Sequence, residues 1–183
     1  MGEVTNHFST DYYLYKFLNK LAKRICWIHP NVITIIAGLM IFPIISNILY
    51  DGDVWYLILL FLVRHILDCL DGSVARKCNK VSKFGAYLDL SFDYIFFLSI
   101  YLAIGYKSVQ IKNRIMRNPF KILVILFAAV FFFILNYYFL RKFELLKDEK
   151  NVQTNVLFDF IQKNVDYEII HFFIFALLIK FIL

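Results

Sequence analysis

Residues 54–106 read VWYLILLFLVRHILDCLDGSVARKCNKVSKFGAYLDLSFDYIFFLSIYLAIGY and contain two long apolar runs joined by a short polar segment. The first run extends over residues 54–70 and the second over residues 84–106. A helix rises about 1.5 Å per residue, so each run can cross most or all of the roughly 30 Å hydrocarbon core of a bilayer. Because the connection between them is short, we expect the two helices to be antiparallel neighbours.

The composition of the whole chain points to a membrane protein. The 183 residues are 61% hydrophobic and 19% charged, whereas soluble domains are about 45–50% apolar and about 25% charged. Ordinary soluble, disordered and collagen-like folds are therefore excluded. The three cysteines form no CxxC pair, so we expect neither a disulfide nor a zinc site. We attribute the net charge of +6 to basic loops at the cytoplasmic surface and expect no nucleic-acid partner.

Three further apolar segments complete the predicted bundle. Residues 31–50 carry no charge over the length of a bilayer span, and residues 122–140 are rich in aromatic side chains. Residues 169–183 are shorter and are interrupted by Lys180. We therefore predict an all-α fold, a polytopic transmembrane helical bundle of about five to six spans.

The bundle is predicted to form a single membrane domain over residues 1–183. Residues 1–30 supply an amino-terminal amphipathic helix at the membrane interface, because leucines recur on one side at helical spacing and lysines on the other. A soluble amphipathic helix is the alternative. Residues 31–106 hold spans one to three with the candidate site, and residues 107–183 hold the remaining spans and loops.

The distribution of lysine and arginine predicts a cytoplasmic amino terminus. Basic residues are grouped before span one, after span two and after span four, whereas a smaller basic group between residues 107 and 121 lies on the opposite side. Basic loops are retained in the cytoplasm. We therefore expect an integral, multi-pass membrane protein whose candidate site faces the cytoplasm, and the sequence does not specify the organelle.

Four aspartates lie within or near the ends of spans two and three. Asp68 and Asp71 are three residues apart, and Asp89 and Asp93 are four apart, so each pair occupies one helix face. A charged residue inside a span costs at least about 2.5–3.5 kcal/mol, which makes such residues functional candidates. In antiparallel neighbours, all four carboxylates can converge in one pocket near the cytoplasmic surface. Arg64, one turn before Asp68, is expected either to pair with it or to extend to the interface.

Four clustered carboxylates repel each other, and two divalent cations would balance their charge. Oxygen ligands suit Mg²⁺ or Mn²⁺, whereas zinc would require histidine or cysteine, and neither clusters in this sequence. Mg²⁺ held by carboxylates usually completes its coordination shell with phosphate oxygens. The acids therefore predict a diphosphate substrate.

Small residues and a cation accompany the acids. Gly72 and Ala75 lie beside the first acidic pair, and Gly85 lies one turn before the second. Small residues let a ligand approach the backbone, although they also serve to pack helices together. Arg76 can contact a phosphate with two hydrogen bonds, and Ser82 is placed to cap the helix that follows.

Residues 68–93, DCLDGSVARKCNKVSKFGAYLDLSFD, resemble the pattern D-x2-D-G-x2-A-R-x8-G-x3-D-x3-D of the CDP-alcohol phosphotransferase family at every fixed position and every gap. Residues 29–34, HPNVIT, resemble the Pro-Asn-x-x-Thr start of that family's first span. The sequence between the acidic pairs is more similar to the phosphatidylinositol and phosphatidylglycerophosphate synthase branch than to choline or ethanolamine phosphotransferases.

The resemblance implies a membrane enzyme that transfers a phosphatidyl or other substituted phosphate group from a CDP-alcohol, such as CDP-diacylglycerol, to a small polar alcohol, with release of CMP. It implies two Mg²⁺ or Mn²⁺ ions held by the four aspartates, with Asp93 also the general base. The residues implied to contact CDP are Asn31, Thr34, Gly72, Ala75, Arg76, Ser82 and Gly85. The acyl chains of the donor would remain among membrane lipids. The resemblance leaves open whether the protein forms a homodimer.

Other functions remain as alternatives. Arg141 and Lys142 could hold an anionic acceptor, and they are equally expected as basic anchors of span four. A Mg²⁺-dependent, aspartate-rich prenyltransferase would use similar chemistry, but it needs a second acidic motif and none follows Asp93. An ion channel or transporter could carry buried acids without requiring glycines at these gaps. A catalytically inactive lipid-binding relative is the last alternative.

Overall fold

The computed structural model describes residues 11–110 and 119–147, which form six α-helices and no strand. The helices are α1 (Asp11–Ala22), α2 (Pro30–Leu39), α3 (Ile41–Leu49), α4 (Val54–Lys77), α5 (Lys83–Gln110) and α6 (Pro119–Lys147). The prediction of an all-helical fold is confirmed. The predicted last span, residues 169–183, lies outside the described residues.

The first predicted span is a single apolar segment, Pro30–Leu49, that is broken at Met40 into α2 and α3. Pro43 explains the break, because its ring lacks an N–H group and collides with the carbonyl four residues earlier, that of Leu39. The amide of Met40 instead donates to the carbonyl of Ala37 at 3.3 Å, which tightens the helix locally.

The helix pair α2–α3, α4 and α5 run in alternating directions, so the bundle has two ends. We call the end formed by residues 77–83 the near end and the opposite end the far end. At the far end, Lys107 of α5 forms a 2.7 Å ion pair with Asp51 in the turn before α4. Asp51 has φ 53°, a left-handed conformation that aspartate tolerates in tight turns.

Three apolar clusters hold the helices together. Toward the far end, α3, α4 and α5 meet around Ile44, Leu57 and Ile100, each at most 2% exposed. Toward the near end, α1 packs against α4 through Leu18 and Val74. A third cluster joins α5 to α6. Lipid tails are as apolar as these side chains, so within a membrane the clusters stabilise the bundle by close van der Waals packing.

Helix α6 is antiparallel to α5. The ring centroids of Tyr101 and Phe132 lie 4.9 Å apart, and those of Tyr94 and Phe139 lie 5.5 Å apart. The hydroxyl of Tyr94 also donates a 2.9 Å hydrogen bond to the Asn136 side chain. In these contacts, the later residue of α5 meets the earlier residue of α6. The two helices therefore run in opposite directions, and the carboxyl end of α6 lies at the near end.

Two segments of the described chain are long and apolar enough to cross a membrane, Pro30–Leu49 and Lys83–Lys107. Both expose large apolar side chains, including Phe42 at 67% and Leu102 at 65%. Such surface suits contact with lipid. The total number of spans stays a prediction.

The amino-terminal helix is shorter than the predicted interfacial segment. Within α1, Leu18 and Ala22 are buried against α4, while Lys16 and Lys20 are exposed. The apolar stripe of α1 is therefore used to cover another helix. Its position at a membrane surface stays a prediction.

The expectation that the cysteines form no disulfide is wrong. Cys26 and Cys78 are joined, although 52 residues separate them in the sequence. Their Cα atoms lie 5.6 Å apart, because α1 packs along the last turns of α4 and so delivers Cys26 to the end of that helix. No spacing rule marks such a pair, since only tertiary packing brings the two thiols together.

Candidate active site

A pocket of about 150 Å³ lies at the near end, between α2, α4 and α5. Its wall includes Asp71 and Asp89, and it includes all seven residues for which the sequence predicts CDP contacts, namely Asn31, Thr34, Gly72, Ala75, Arg76, Ser82 and Gly85. The fold thus brings three separate segments of the chain to one cavity. The roles of these residues as nucleotide contacts stay predictions.

Two glycines shape the wall of the pocket. A Cβ at Gly85 would lie 3.0 Å from the side-chain oxygens of Asn31 and Ser82, so its absence lets α5 begin close to α2. A Cβ at Gly72 would lie 3.1 Å from the Arg76 guanidinium, which therefore lies directly over that glycine. The Ser82 hydroxyl accepts a 3.0 Å hydrogen bond from the amide of Gly85, so Ser82 caps α5 as the sequence predicts.

Three of the four aspartates form a compact cluster. Asp68 of α4 and Asp89 and Asp93 of α5 each offer one carboxylate oxygen, and these three oxygens lie within 4.8 Å of one another. All three residues are half-buried. A donor set made only of carboxylate oxygens fits Mg²⁺ or Mn²⁺. The prediction that α4 and α5 bring acids together is therefore confirmed for this group, and the identity of the ion stays a prediction.

Asp71 lies beside this cluster and takes a different partner. Its carboxylate accepts a 2.5 Å hydrogen bond from the hydroxyl of Thr34 on α2. Both residues are buried, at 6% and 4% exposure. Asp71 and Asp89 together face the pocket. The four predicted ligands are thus divided between a three-acid cluster and a separate carboxylate that α2 holds in place.

Arg64 lies one turn from the cluster on its far-end side. Its Nη2 atom forms an ion pair with Asp93 across the α4–α5 interface and lies 3.8 Å from Asp68. The guanidinium also lies 3.9 Å from the centre of the Phe96 ring, within cation–π range. Of the two interpretations that the sequence left open for Arg64, the structure selects pairing, and Asp93 is the nearer partner.

Arg141 of α6 reaches the near end, but its contacts are with neighbouring residues of the same helix. Its guanidinium donates a 2.8 Å hydrogen bond to Glu144 and lies 5.7 Å from the Tyr137 ring centre. Hydrogen bonds to Tyr137 and Glu144 raise the pKa of the exposed Arg141 guanidinium, which stays charged. These contacts fit a surface anchor better than an acceptor contact.

Lys142 is the basic residue of α6 that lies close to the acids. Its Nζ atom lies 5.4 Å from the Tyr138 ring centre. Although Lys142 is an exposed residue, desolvation by the protein atoms around its ammonium group lowers its pKa. Its interactions with the Tyr138 hydroxyl and with the carboxylates of Asp93 and Asp89 outweigh this effect, so the net pKa is raised. Lys142 therefore remains cationic at neutral pH on the α6 side of the cluster.

Lys80 is a pocket residue that the sequence did not single out. Its Nζ atom donates to the carbonyl of Cys26 at 2.5 Å and to that of Ile28 at 3.3 Å. Beside the Cys26–Cys78 disulfide, it ties the α4–α5 turn to the segment that leads into α2. In the sequence, Lys80 is one of several lysines in a basic turn, and nothing there marks it.

An acidic cluster beside a pocket lined by glycines and an arginine, in a bundle with apolar helices long enough to cross a membrane, fits the class of membrane enzymes that act on a metal-bound diphosphate. The family comparison agrees with this class, because the profile of the CDP-alcohol phosphatidyltransferases matches residues 27–181. The chain belongs to the CDP-alcohol phosphatidyltransferase family. Members of this family act on CDP-alcohol and alcohol substrates in a lipid environment and use divalent metal.

Two curated relatives match part of the chain. It is 39% identical over 78 residues to an archaetidylinositol phosphate synthase of Pyrococcus horikoshii, which is 43% of this chain and 41% of that relative. It is 36% identical over 66 residues to an uncharacterized protein of Aquifex aeolicus, which is 36% of this chain and 33% of that protein. The chain thus spans less than half the length of these curated relatives. No solved structure matches it.

Proposed function

We propose that this protein is a phospholipid-synthesis enzyme that transfers a phosphatidyl or other substituted phosphate group from a CDP-alcohol, such as CDP-diacylglycerol, to the hydroxyl of a small polar alcohol, releasing CMP. The observation that carries the proposal is the pocket at the near end. Seven residues predicted to contact the nucleotide line it, and two of the four aspartates, Asp71 and Asp89, share its wall. Family membership supports the reaction class.

The pocket binds the CDP group of the donor in this proposal. Arg76 contacts a phosphate, and Asn31 and Ser82, at the starts of two helices, present polar groups to the nucleotide. The four aspartates hold two Mg²⁺ or Mn²⁺ ions. When bound, the ions neutralise the diphosphate and stabilise the CMP that leaves.

Asp93 is the proposed general base. It lies one turn further along α5 than Asp89, at the inner side of the cluster, where it can accept the proton of the acceptor hydroxyl. The acceptor oxygen then forms a bond to the lipid-linked phosphorus. The bond from that phosphorus to the bridging oxygen breaks, and CMP departs with the electron pair.

The proposed acceptor carries a phosphate group. Lys142 supplies a positive charge near Asp89 and Asp93, the side of the cluster that lies toward α6. An anionic acceptor such as an inositol phosphate or glycerol 3-phosphate would be held by that charge. The name of the Pyrococcus relative, a synthase of archaetidylinositol phosphate, supports the inositol phosphate class. Arg141, paired with Glu144, is a secondary contact at most.

The near end is proposed to face the cytoplasm in a multi-pass membrane domain, with α1 at the interface. Basic residues concentrate at this end, as the positive-inside rule requires. The opposite side carries the smaller basic group between residues 107 and 121. The basic residues at or beside the near end include Lys23, Arg24, Arg76, Lys77, Lys80, Lys83, Arg141 and Lys142.

The test is transfer by the purified protein in detergent with Mn²⁺. Labelled CDP-diacylglycerol is supplied with inositol, inositol phosphate, glycerol 3-phosphate or serine, and CMP and new lipid are measured. We expect CMP release with a phosphorylated acceptor. Product from CDP-choline and diacylglycerol alone would contradict the proposed branch. Absence of CMP release with every donor and acceptor would identify an inactive lipid-binding relative.

The Asp93→Asn variant tests the role of the base. We expect it to abolish transfer while CMP binding and membrane insertion persist, because the amide cannot accept the acceptor's proton. The matched control is Asp51→Asn, which makes the same change in the turn at the far end. Full activity in Asp93→Asn would remove Asp93 from this role.

A further inference from the structure

We propose that Arg64 is a positioning residue of this site: it is a resident counter-ion that holds Asp93 and Asp68 together before divalent cations bind, and it fixes the orientation of the Asp93 carboxylate. The inference rests on the proposed function for the role of Asp93. It also makes separate claims about metal binding and stability that need no turnover.

The contacts of Arg64 place it between the two acidic helices. The side chain belongs to α4, and its closest carboxylate, Asp93, belongs to α5. Asp68, one turn away on α4, lies 3.8 Å from the same Nη2 atom. One guanidinium therefore contacts a carboxylate from each acidic pair and links the two helices at the cluster.

The guanidinium is held in a defined position. Arg64 is 7% exposed, and its guanidinium lies over the ring of Phe96, 3.9 Å from the ring centre. Phe96 follows Asp93 by nearly one turn on α5, so ring and carboxylate approach the cation from the same helix. A planar guanidinium stacked on a ring and paired with a carboxylate has little freedom. The Asp93 oxygen that it contacts is constrained in the same way.

The positive charge of Arg64 offsets part of the negative charge of the clustered carboxylates. Of the basic residues that the structure describes, only Arg64 and Lys107 are buried, and Lys107 is at the far end. In the metal-free protein, the mutual repulsion of the clustered acids is therefore opposed from inside the bundle by Arg64 and from the α6 side by Lys142. Once divalent cations occupy the site, they and Arg64 repel each other. Arg64 thus stabilises the empty site more than the loaded one.

The Arg64→Met variant tests this inference, because methionine keeps an apolar chain of similar reach without the charge. We expect its thermal midpoint in detergent with EDTA to fall, and Mn²⁺ to restore most of the loss. Mn²⁺ affinity, measured by calorimetry, should become tighter by about tenfold, since a unit charge only a few ångströms away is removed. Turnover at saturating Mn²⁺ and donor should fall by about 100-fold with little change in the donor KM, because Asp93 is no longer oriented.

Two further variants separate these effects from simple packing. Arg64→Lys restores the charge without the planar, stacked geometry, so it should recover the metal-free midpoint but not the turnover number. Lys107→Met is the matched control, since it removes another buried, ion-paired cation far from the acids. Its loss of stability should be the same in EDTA and in Mn²⁺.

Several results would overturn the inference. Equal loss of stability by Arg64→Met with and without Mn²⁺ would reduce Arg64 to a packing residue. Weaker Mn²⁺ binding by Arg64→Met would show that Arg64 does not oppose the cations. If wild-type protein and variants all fail to bind Mn²⁺, the inference and the proposed metal site both fail. If no donor and acceptor pair yields CMP, the proposed function fails, while the midpoints and Mn²⁺ titrations still decide whether Arg64 is the counter-ion.

Discussion

Replacement of Thr34 by valine removes one hydrogen bond at the edge of the acidic site. The Thr34 hydroxyl donates to Asp71 at 2.5 Å, and the two residues are 4% and 6% exposed. Valine has nearly the same shape, so Thr34→Val leaves the packing of α2 on α4 intact. It leaves the buried Asp71 carboxylate without that donor.

The size of the effect follows from the burial of the pair. A hydrogen bond to a charged group contributes about 1.5–3 kcal/mol. If Asp71 binds metal, Thr34 is the hydrogen-bond partner that orients a ligand. Loss of such a partner typically costs about 10–100-fold in metal affinity, which agrees with that energy. We therefore expect Mn²⁺ to bind Thr34→Val about 10–100-fold more weakly.

The assay is calorimetric titration of Mn²⁺ into the purified protein, with CMP affinity measured in parallel. Thr34→Ser is the matched control, because it keeps the hydroxyl and loses only a methyl group, and it should bind Mn²⁺ nearly as the wild type does. Wild-type Mn²⁺ affinity in Thr34→Val would refute the reasoning. If Thr34→Val lost CMP affinity alone, Thr34 would contact the nucleotide directly and would not orient Asp71.

Three further predictions concern the pocket wall, the disulfide and the acceptor. Gly85→Ala places a Cβ 3.0 Å from the Asn31 oxygen, and overpacking of this kind costs about 1–3 kcal/mol. CMP titration of this variant should therefore show weaker CMP binding with unchanged Mn²⁺ affinity. Unchanged CMP affinity would contradict a nucleotide site at this wall. The disulfide between Cys26 and Cys78 closes a loop across 52 residues, and the chain-entropy relation gives about 4 kcal/mol of stabilisation for a loop of that length. Reduction should therefore lower the unfolding midpoint. A Cys26→Ser variant is the control, because its midpoint should not respond to reductant. If the near end faces the cytoplasm, alkylation in intact cells should find both thiols reduced, and an oxidised pair there would argue for the opposite orientation. Lys142→Gln should raise the KM for a phosphorylated acceptor and leave that for an uncharged alcohol unchanged; an equal rise for both would assign Lys142 a structural role.

The local features of this protein could be predicted from its sequence, because they depend on neighbours within one or two turns. Apolar composition favours a membrane protein, and the helical spacing of the aspartates places each pair on one face. A short turn of basic and small residues makes α4 and α5 antiparallel, so that Asp68, Asp89 and Asp93 meet. The cap at Ser82 depends on the first residues of one helix alone. These features require no knowledge of how distant segments pack.

Tertiary packing decided which partner each of these groups has. Arg64 could have paired along its own helix, and only the approach of α5 supplies Asp93. Asp71 is separated from the three-acid cluster because α2, 37 residues earlier in the chain, delivers the hydroxyl of Thr34 to it. The Cys26–Cys78 bond depends in the same way on how α1 lies along α4. Periodicity within a helix determines which face a side chain occupies, but the distances between helices are set by the packing of all of them, which no single segment encodes.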